Sequence, residues 1–254
     1  MCKAFSCIVT KSGKVYWKLG IDSHDKLQDK FVKKDKELID DKDAPDNTFA
    51  RIEIVPQNGN YLKPDKWVYQ IDERVKPGWI KKLHKDIAYS ALEEWKTQLY
   101  PKVAIDQMPV NPFKIKAPEI SDKHLKLVKE WDSVWDSVGD SVWASVWASV
   151  GASVGASVWD SVWDSVWDSV GASVGDSVGA SVGDSVWAQI GVVFPTVKKW
   201  KYTDKVKVKG YPFKSCVKLW RMGLVPCTDY NGKWFLVGSP KGNEKVKILW
   251  EGKI

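Results

Sequence analysis

The sequence predicts an α+β protein in which two small α+β units flank a rod of tetrapeptide repeats. The 254 residues exceed one average domain. Residues 131–186 contain only Ser, Val, Asp, Trp, Gly and Ala, an alphabet that ordinary domains do not use. The flanking sequence mixes strand patterns with helical ones. We therefore expect an N-terminal α+β domain at 1–100, a proline-rich linker at 101–120, a lead-in helix and the array at 121–193, and a C-terminal small α+β unit at 194–254.

The N-terminal domain is predicted to be a small sheet covered by a helix. Ser12-Gly13 is a turn signal between two strand-like runs, and Ser23 is placed to cap a short helix. Pro77 opens a longer stretch of helical spacing that Pro101 ends. The charged stretch 33–46 is typical of a loop. The expected strands lie at 4–10, 15–19, 49–55 and 67–71.

The C-terminal unit is predicted from shorter signals. Residues 212–222 are typical of an amphipathic helix that ends at Gly223. Residues 233–237 and 245–250 flank a glycine-rich turn and indicate a hairpin. Valines alternate with lysines over 205–209, which favours a one-sided edge strand. The unit could stand alone or share the core of the first domain.

The array repeats the unit [Trp/Gly]-[Asp/Ala]-Ser-Val fourteen times from Trp131 to Val186, and residues 187–190 are a degenerate fifteenth copy. Trp and Gly codons can differ by one base, and so can Asp and Ala codons. The pattern therefore indicates a repeated twelve-nucleotide unit that grew by slippage, and we expect the copy number not to be critical.

The repeat is compatible with a helix or a β-solenoid, and we favour the helix. On a helix, equivalent positions drift by about 40° per unit, so the valines are expected to wind around the rod without a fixed buried side. A solenoid would place Val inward in every coil. The lead-in decides in favour of the helix, because Ser121 can cap it and apolar residues continue at helical spacing into the first units.

Charge is divided between the array and its flanks. The net charge is +7, but the array holds eight Asp and no Lys or Arg, so the flanks carry +15. No run of 18 apolar residues could span a bilayer, the first residues lack a signal-peptide pattern, and four Cys are too few for a disulfide scaffold. We expect an intracellular or virion-associated protein without a membrane span or cofactor.

Several segments together resemble a group of phage and environmental-sequence proteins that carry Ser-Val tetrapeptide arrays. The resemblance rests on the first seven residues, on Gly20-Ile21-Asp22-Ser23-His24, on the array, and on Tyr211-Pro212-Phe213 with Gly223-Leu224-Val225-Pro226. It covers most of the chain. It implies an array of changeable length and a viral or mobile-element origin, and it implies no activity.

Catalysis and metal binding are the less favoured interpretations. Cys2 would become an N-terminal nucleophile if Met1 were removed, but such enzymes need a larger surrounding fold. Cys2, Cys7, Cys216 and Cys227 could gather with His24 around zinc, yet their spacings are not those of zinc knuckles. His24 is more typical of a helix-cap neighbour. His84 and His124 are expected at the surface. We predict no catalytic residue and no metal ligand.

The array tryptophans are the preferred candidate binding residues. Large exposed aromatic side chains usually mark a binding surface, and Trp beside Asp also suits sugar rings. We expect a non-enzymatic binding or assembly module that recognises a protein or a glycan or associates with itself. The alternative is that the rings are buried. The residues are Trp131, Trp135, Trp143, Trp147, Trp159, Trp163 and Trp167.

Nucleic-acid binding is the alternative function. Lysines interleaved with aromatic side chains provide charges for phosphates and flat surfaces for bases, as single-stranded nucleic acid requires. A solvated lysine face that protects an edge strand explains the same pattern. The candidate contacts are Lys198, Lys199, Trp200, Lys201, Tyr202, Lys205, Lys207 and Lys209.

Overall fold

The computed structural model describes residues 5–39, 47–57, 63–150, 166–167, 169–175, 178–204, 206 and 210–254. Their contacts separate two compact units. Unit 1 contains the described residues up to Val103 together with residues 149–150, and unit 2 contains Ala104–Ala148 and the described residues from 166 onward. Both are mixed helix-and-sheet structures, so the predicted α+β class is confirmed.

Unit 1 contains a four-stranded antiparallel sheet in the order β2-β1-β3-β4. The predicted strands are all present, with slightly different ends. β1 and β3 are each almost entirely buried, since helices cover both faces of the sheet. The strands are β1 (Phe5–Thr10), β2 (Val15–Tyr16), β3 (Phe49–Val55) and β4 (Val68–Ile71).

Two helices cover this sheet. Helix α1 (His24–Phe31) begins after Ser23, whose hydroxyl accepts the amide proton of Lys26, as predicted. Helix α2 (Lys82–Leu99) begins five residues after Pro77 and packs against β1. Leu83, in the first turn of this helix, is 62% exposed. The predicted loop contains a short 3₁₀ turn, Lys36–Ile39, that buries Leu38; its last seven residues lie outside the described part.

Unit 2 is built around a three-stranded antiparallel sheet in the order β5-β6-β7. The predicted hairpin is confirmed as β6 (Trp234–Gly238) and β7 (Lys247–Gly252), and the predicted helix as Lys214–Arg221. Strand β5 (Leu224–Thr228) was not predicted, because Pro226 argues against a central strand. β5 is an edge strand, where proline is tolerated.

The described part of the array is helical, and no solenoid occurs in it. It forms α3 (Asp122–Asp132, which includes the lead-in), α4 (Val138–Val150) and α5 (Gly179–Val192), with a helical stretch at 169–174. We number the helix Lys214–Arg221 as α6. The described segments do not form a separate rod, because α5 packs on β5 and α6, and α3 packs on α6. The predicted separate rod is therefore not confirmed for these residues, which share a core with the C-terminal segment.

The predicted linker is also part of unit 2. Phe113 is fully buried, and the Ala117 amide donates to the Ser239 carbonyl at 2.9 Å. The Trp220 ring nitrogen donates to the Val110 carbonyl at 2.8 Å. Val206 does not lie in a strand, and the other residues of the predicted edge strand, 205 and 207–209, lie outside the described part. Prolines here shape packed turns.

Candidate functional site

The valine position of the repeat is the core position of unit 2. Every described array valine whose side chain is placed is buried, except Val174, which is half-buried. The expectation that valines wind around the helix was wrong because the helices are interrupted. Val138, Val142 and Val146 in α4 drift by only about 80°, which fits one apolar stripe. An interruption before each helical segment then returns the valines to the side of the helix that faces the core.

The serine position covers the outer edge of the sheet. The Thr228 amide donates to the Ser181 hydroxyl at 3.0 Å, and the Ser185 hydroxyl donates to the Pro226 carbonyl at 2.9 Å. Four residues of helix rise by about 6 Å, close to the about 6.6 Å that two strand residues span. The tetrapeptide period therefore matches the period of polar groups along β5.

The described tryptophans divide into core and surface residues. Trp131 is fully buried against Phe213, with ring centroids 6.2 Å apart, so its assignment to a binding surface was wrong. Trp135 is half-buried against Trp234. Trp143 is 48% exposed and Trp167 is 37% exposed. The side chains of Trp147, Trp159 and Trp163 lie outside the described part.

One glycine copy of the repeat, Gly179, receives a tryptophan ring. A Cβ on Gly179 would lie 2.7 Å from Cη2 of Trp167, so the ring occupies the space that any larger residue would need. Trp143 instead meets Trp187 edge-on, with centroids 5.6 Å apart. No heavy atom lies within 4 Å of a Cβ placed on Gly171, so this glycine faces open space. The residue at the Trp/Gly position therefore decides whether a repeat unit supplies a tryptophan ring or leaves a space.

One aspartate of the array sits in an unfavourable environment. Burial, with the carboxylates of Asp136 and Asp140 adding to it, raises the pKa of Asp184 to about 7. A Cβ on Gly139 would lie 3.2 Å from Asp184 Oδ1, which shows how closely the helices approach. At the Asp/Ala position, an exposed Asp is therefore tolerated, whereas a buried Asp is destabilising when it is ionised.

The basic segment is only partly suited to stacking bases. Lys198, Lys199 and Lys201 are exposed, and Tyr202 is 64% exposed. Trp200 instead packs on Tyr211, with centroids 4.8 Å apart. The remaining candidates Lys205, Lys207 and Lys209 lie outside the described part.

The cysteines do not form the considered zinc cluster within the described residues. Cys7 belongs to unit 1, while Cys216 and Cys227 belong to unit 2. All three are free and buried, and burial raises the pKa of each thiol. Cys2, the candidate nucleophile, lies outside the described part.

Two histidines expected at the surface are buried at helix starts, so that expectation was wrong. Nδ1 of His84 accepts the Lys81 amide proton at 3.0 Å, and Nδ1 of His124 accepts that of Ser121 at 3.1 Å. Each ring therefore satisfies a backbone donor just before its helix. The neighbouring lysines had favoured a surface position for both histidines in the sequence.

A polar cleft of about 640 Å³ lies on the α1 side of unit 1. Among the described residues, His24, Glu53 and Asp72 are the group with metal-ligand spacing, their ligand atoms all lying within 4.8 Å of one another. Sequence patterns could not find this group, because its members come from α1, from β3 and from the residue after β4. Arg51, on the same face, holds Glu73 at 3.1 Å.

No family model matches the chain, and no curated protein or solved structure matches it either. Within the described residues, no helix combines the length and apolar character needed to cross a membrane.

Proposed function

We propose that the protein is a non-enzymatic assembly module that associates with further copies of itself through the array. Val positions build the core, and Ser181 and Ser185 cover the sheet edge, while exposed surface remains at the Asp/Ala position and at part of the Trp/Gly position, including Trp143 and Trp167. Trp143, almost half exposed on α4, is the observation that carries the proposal.

The packing of Trp167 on Gly179 indicates how two copies would fit together. The Trp167 ring fills the space that the missing side chain of Gly179 leaves, and both residues belong to the array of one chain. The array contains seven Trp and seven Gly copies, so each chain offers both rings and gaps to a second chain. A protein or glycan partner of different sequence is the competing occupant for the same surface.

The eight Asp of each array repel those of another, and salt screens such repulsion. Association between arrays is therefore expected to strengthen as the salt concentration rises. Contact between one array and the basic flank of another chain would weaken instead. Salt dependence thus distinguishes the two modes of assembly.

Sedimentation velocity over a concentration series tests the proposal. Trp143→Ala should weaken association, because an exposed ring that becomes buried contributes on the order of 1–3 kcal/mol. Gly171→Trp should strengthen it, since that glycine faces open space. Tyr230→Ala is the control, because Tyr230 is 84% exposed but lies outside the array. A wild-type protein that stays monomeric at all concentrations would overturn the proposal.

The second candidate function is binding of single-stranded nucleic acid. It is favoured by Tyr202, which is well exposed beside three exposed lysines. Retardation of a single-stranded oligonucleotide should weaken steeply with salt, and replacing Lys198, Lys199 and Lys201 by Gln should flatten that dependence. Absence of binding at low salt would eliminate this function.

A further inference from the structure

We propose that the cleft of unit 1 binds a divalent transition-metal cation through His24 Nδ1 and the carboxylates of Glu53 and Asp72. This site is independent of the array. Three separate chain segments converge on it, and each is positioned by backbone hydrogen bonds or strand pairing rather than by a mobile loop.

Backbone contacts fix the geometry. The Asp72 amide donates to the Arg51 carbonyl at 2.9 Å, which places Asp72 beside β3. Nε2 of His24 lies 3.1 Å from the Ile52 carbonyl oxygen, at the middle of the same strand. Glu53 is the next residue of β3 after Ile52. The set is therefore preorganised on the face of the sheet that α1 covers.

The protons of His24 give the first argument. A carbonyl oxygen only accepts, so Nε2 must carry the hydrogen, and a neutral ring then presents the lone pair of Nδ1. Nδ1 lies 3.3 Å from Asp72 Oδ2, which is also an acceptor. Two acceptors at this distance need a cation or a second ring proton between them.

Buried oxygens around the group give the second argument. Ser6 is directly opposite Glu53 in the sheet, so both side chains lie on one face. Ser6 is 4% exposed, and its hydroxyl has no hydrogen-bond partner among the described residues. The same holds for the buried Oδ2 of Asp22, which lines the cleft. Such atoms are costly unless they are satisfied, and a bound cation with its water ligands would satisfy them.

Charge and ligand type identify the class of cation. Five carboxylates and two guanidinium groups line the cleft, so it attracts positive charge. An imidazole together with carboxylates favours transition metals over Ca²⁺ and Mg²⁺. Metal–ligand bonds of about 2.1 Å place ligand atoms about 3.0–4.2 Å apart, so side-chain movements on the order of 1 Å close the set.

Mn²⁺ is the probe, because it avoids thiols, and its binding to the full chain is measured by calorimetry and by loss of the free-ion EPR signal. We expect saturable binding of one ion. Asp72→Asn should weaken it at least about tenfold, and Asp72 is exposed enough for this variant to fold. Asp25→Asn removes an equal charge from the same cleft and should weaken binding less than about twofold.

Two results would overturn the proposal. One is equal weakening in both variants, which would mean a general attraction of cations. The other is the absence of saturable binding at millimolar Mn²⁺, which would mean that His24 and Asp72 only contact each other directly. Circular dichroism of both variants verifies the fold.

Discussion

Both units cover a small antiparallel sheet with helices, but they do so with very different sequences. In unit 1 the covering helix α1 uses unlike residues, with Leu27 in the core and His24 bonded to β3. In unit 2 the covering helix α5 repeats the same Ser-Val pair, so Ser181 and Ser185 make equivalent contacts to β5. A helix-on-sheet core thus needs the right period and burial, and it does not need a diverse sequence.

This comparison predicts that unit 2 tolerates changes in multiples of four residues. Deleting residues 171–174 removes one whole copy, and each preceding copy can take the place of the next, so unit 2 should keep a cooperative thermal transition. Deleting residues 171–173 rotates the helix by about 300° relative to its neighbours and removes the match of Val to the core. That variant should lose the transition of unit 2. Equal melting curves for the two deletions would show that repeat phase does not matter.

The strained aspartate gives the second-largest expected effect. The pKa of Asp184 is raised from 3.8 to about 7, so its ionisation destabilises the folded protein. The free energy of unfolding therefore falls progressively as the pH rises from about 4 to about 7. Asp184→Asn should therefore have little effect near pH 4 and should raise the free energy of unfolding at pH 8. Each pKa unit corresponds to about 1.4 kcal/mol.

Denaturant unfolding of Asp184→Asn at both pH values checks this prediction. The exposed Asp204 in the same unit supplies the control variant Asp204→Asn. A stabilisation that is the same at pH 4 and pH 8 would contradict the assigned environment of Asp184.

Two serines at the same position of the repeat provide a smaller, matched test. Ser181→Ala leaves the Thr228 amide without its acceptor and should lower the free energy of unfolding by about 1–3 kcal/mol. Ser173 bonds only to the Ser169 carbonyl of its own helix among the described contacts, so Ser173→Ala should cost less than about 0.5 kcal/mol. Urea titrations measure both values. Similar losses in the two variants would mean that covering the β5 edge contributes nothing specific.

The sequence predicted local elements well where pattern and turn chemistry agree, as in β3 and in the capped start of α1. It failed where tertiary packing overrides a local signal. Pro226 argued against β5, yet its missing amide is harmless at a sheet edge and its carbonyl accepts from Ser185. The prolines of the predicted linker likewise indicated a break, whereas Phe113 lies in the core.

The candidate sites could be predicted only in part. The array predicted the same surface role for all seven tryptophans, and one residue type at one repeat position cannot reveal that Trp143 is exposed while Trp131 meets Phe213 in the core. The His24 group depends on strand register between β3 and the residues after β4, which no single-sequence pattern specifies.

The neighbouring residues Val142 and Trp143 test the division of roles within the repeat most directly. Val142 is fully buried and Trp143 is 48% exposed, so thermal unfolding and sedimentation should be measured on Val142→Ala and Trp143→Ala in parallel. Val142→Ala should lower the melting temperature of unit 2 and leave association between folded chains unchanged. Trp143→Ala should weaken association, and the loss of its edge contact to Trp187 should lower the melting temperature less than Val142→Ala does. The reverse outcome, in which Trp143→Ala unfolds unit 2 and association survives, would contradict the assignment of valine to the core and tryptophan to the assembly surface.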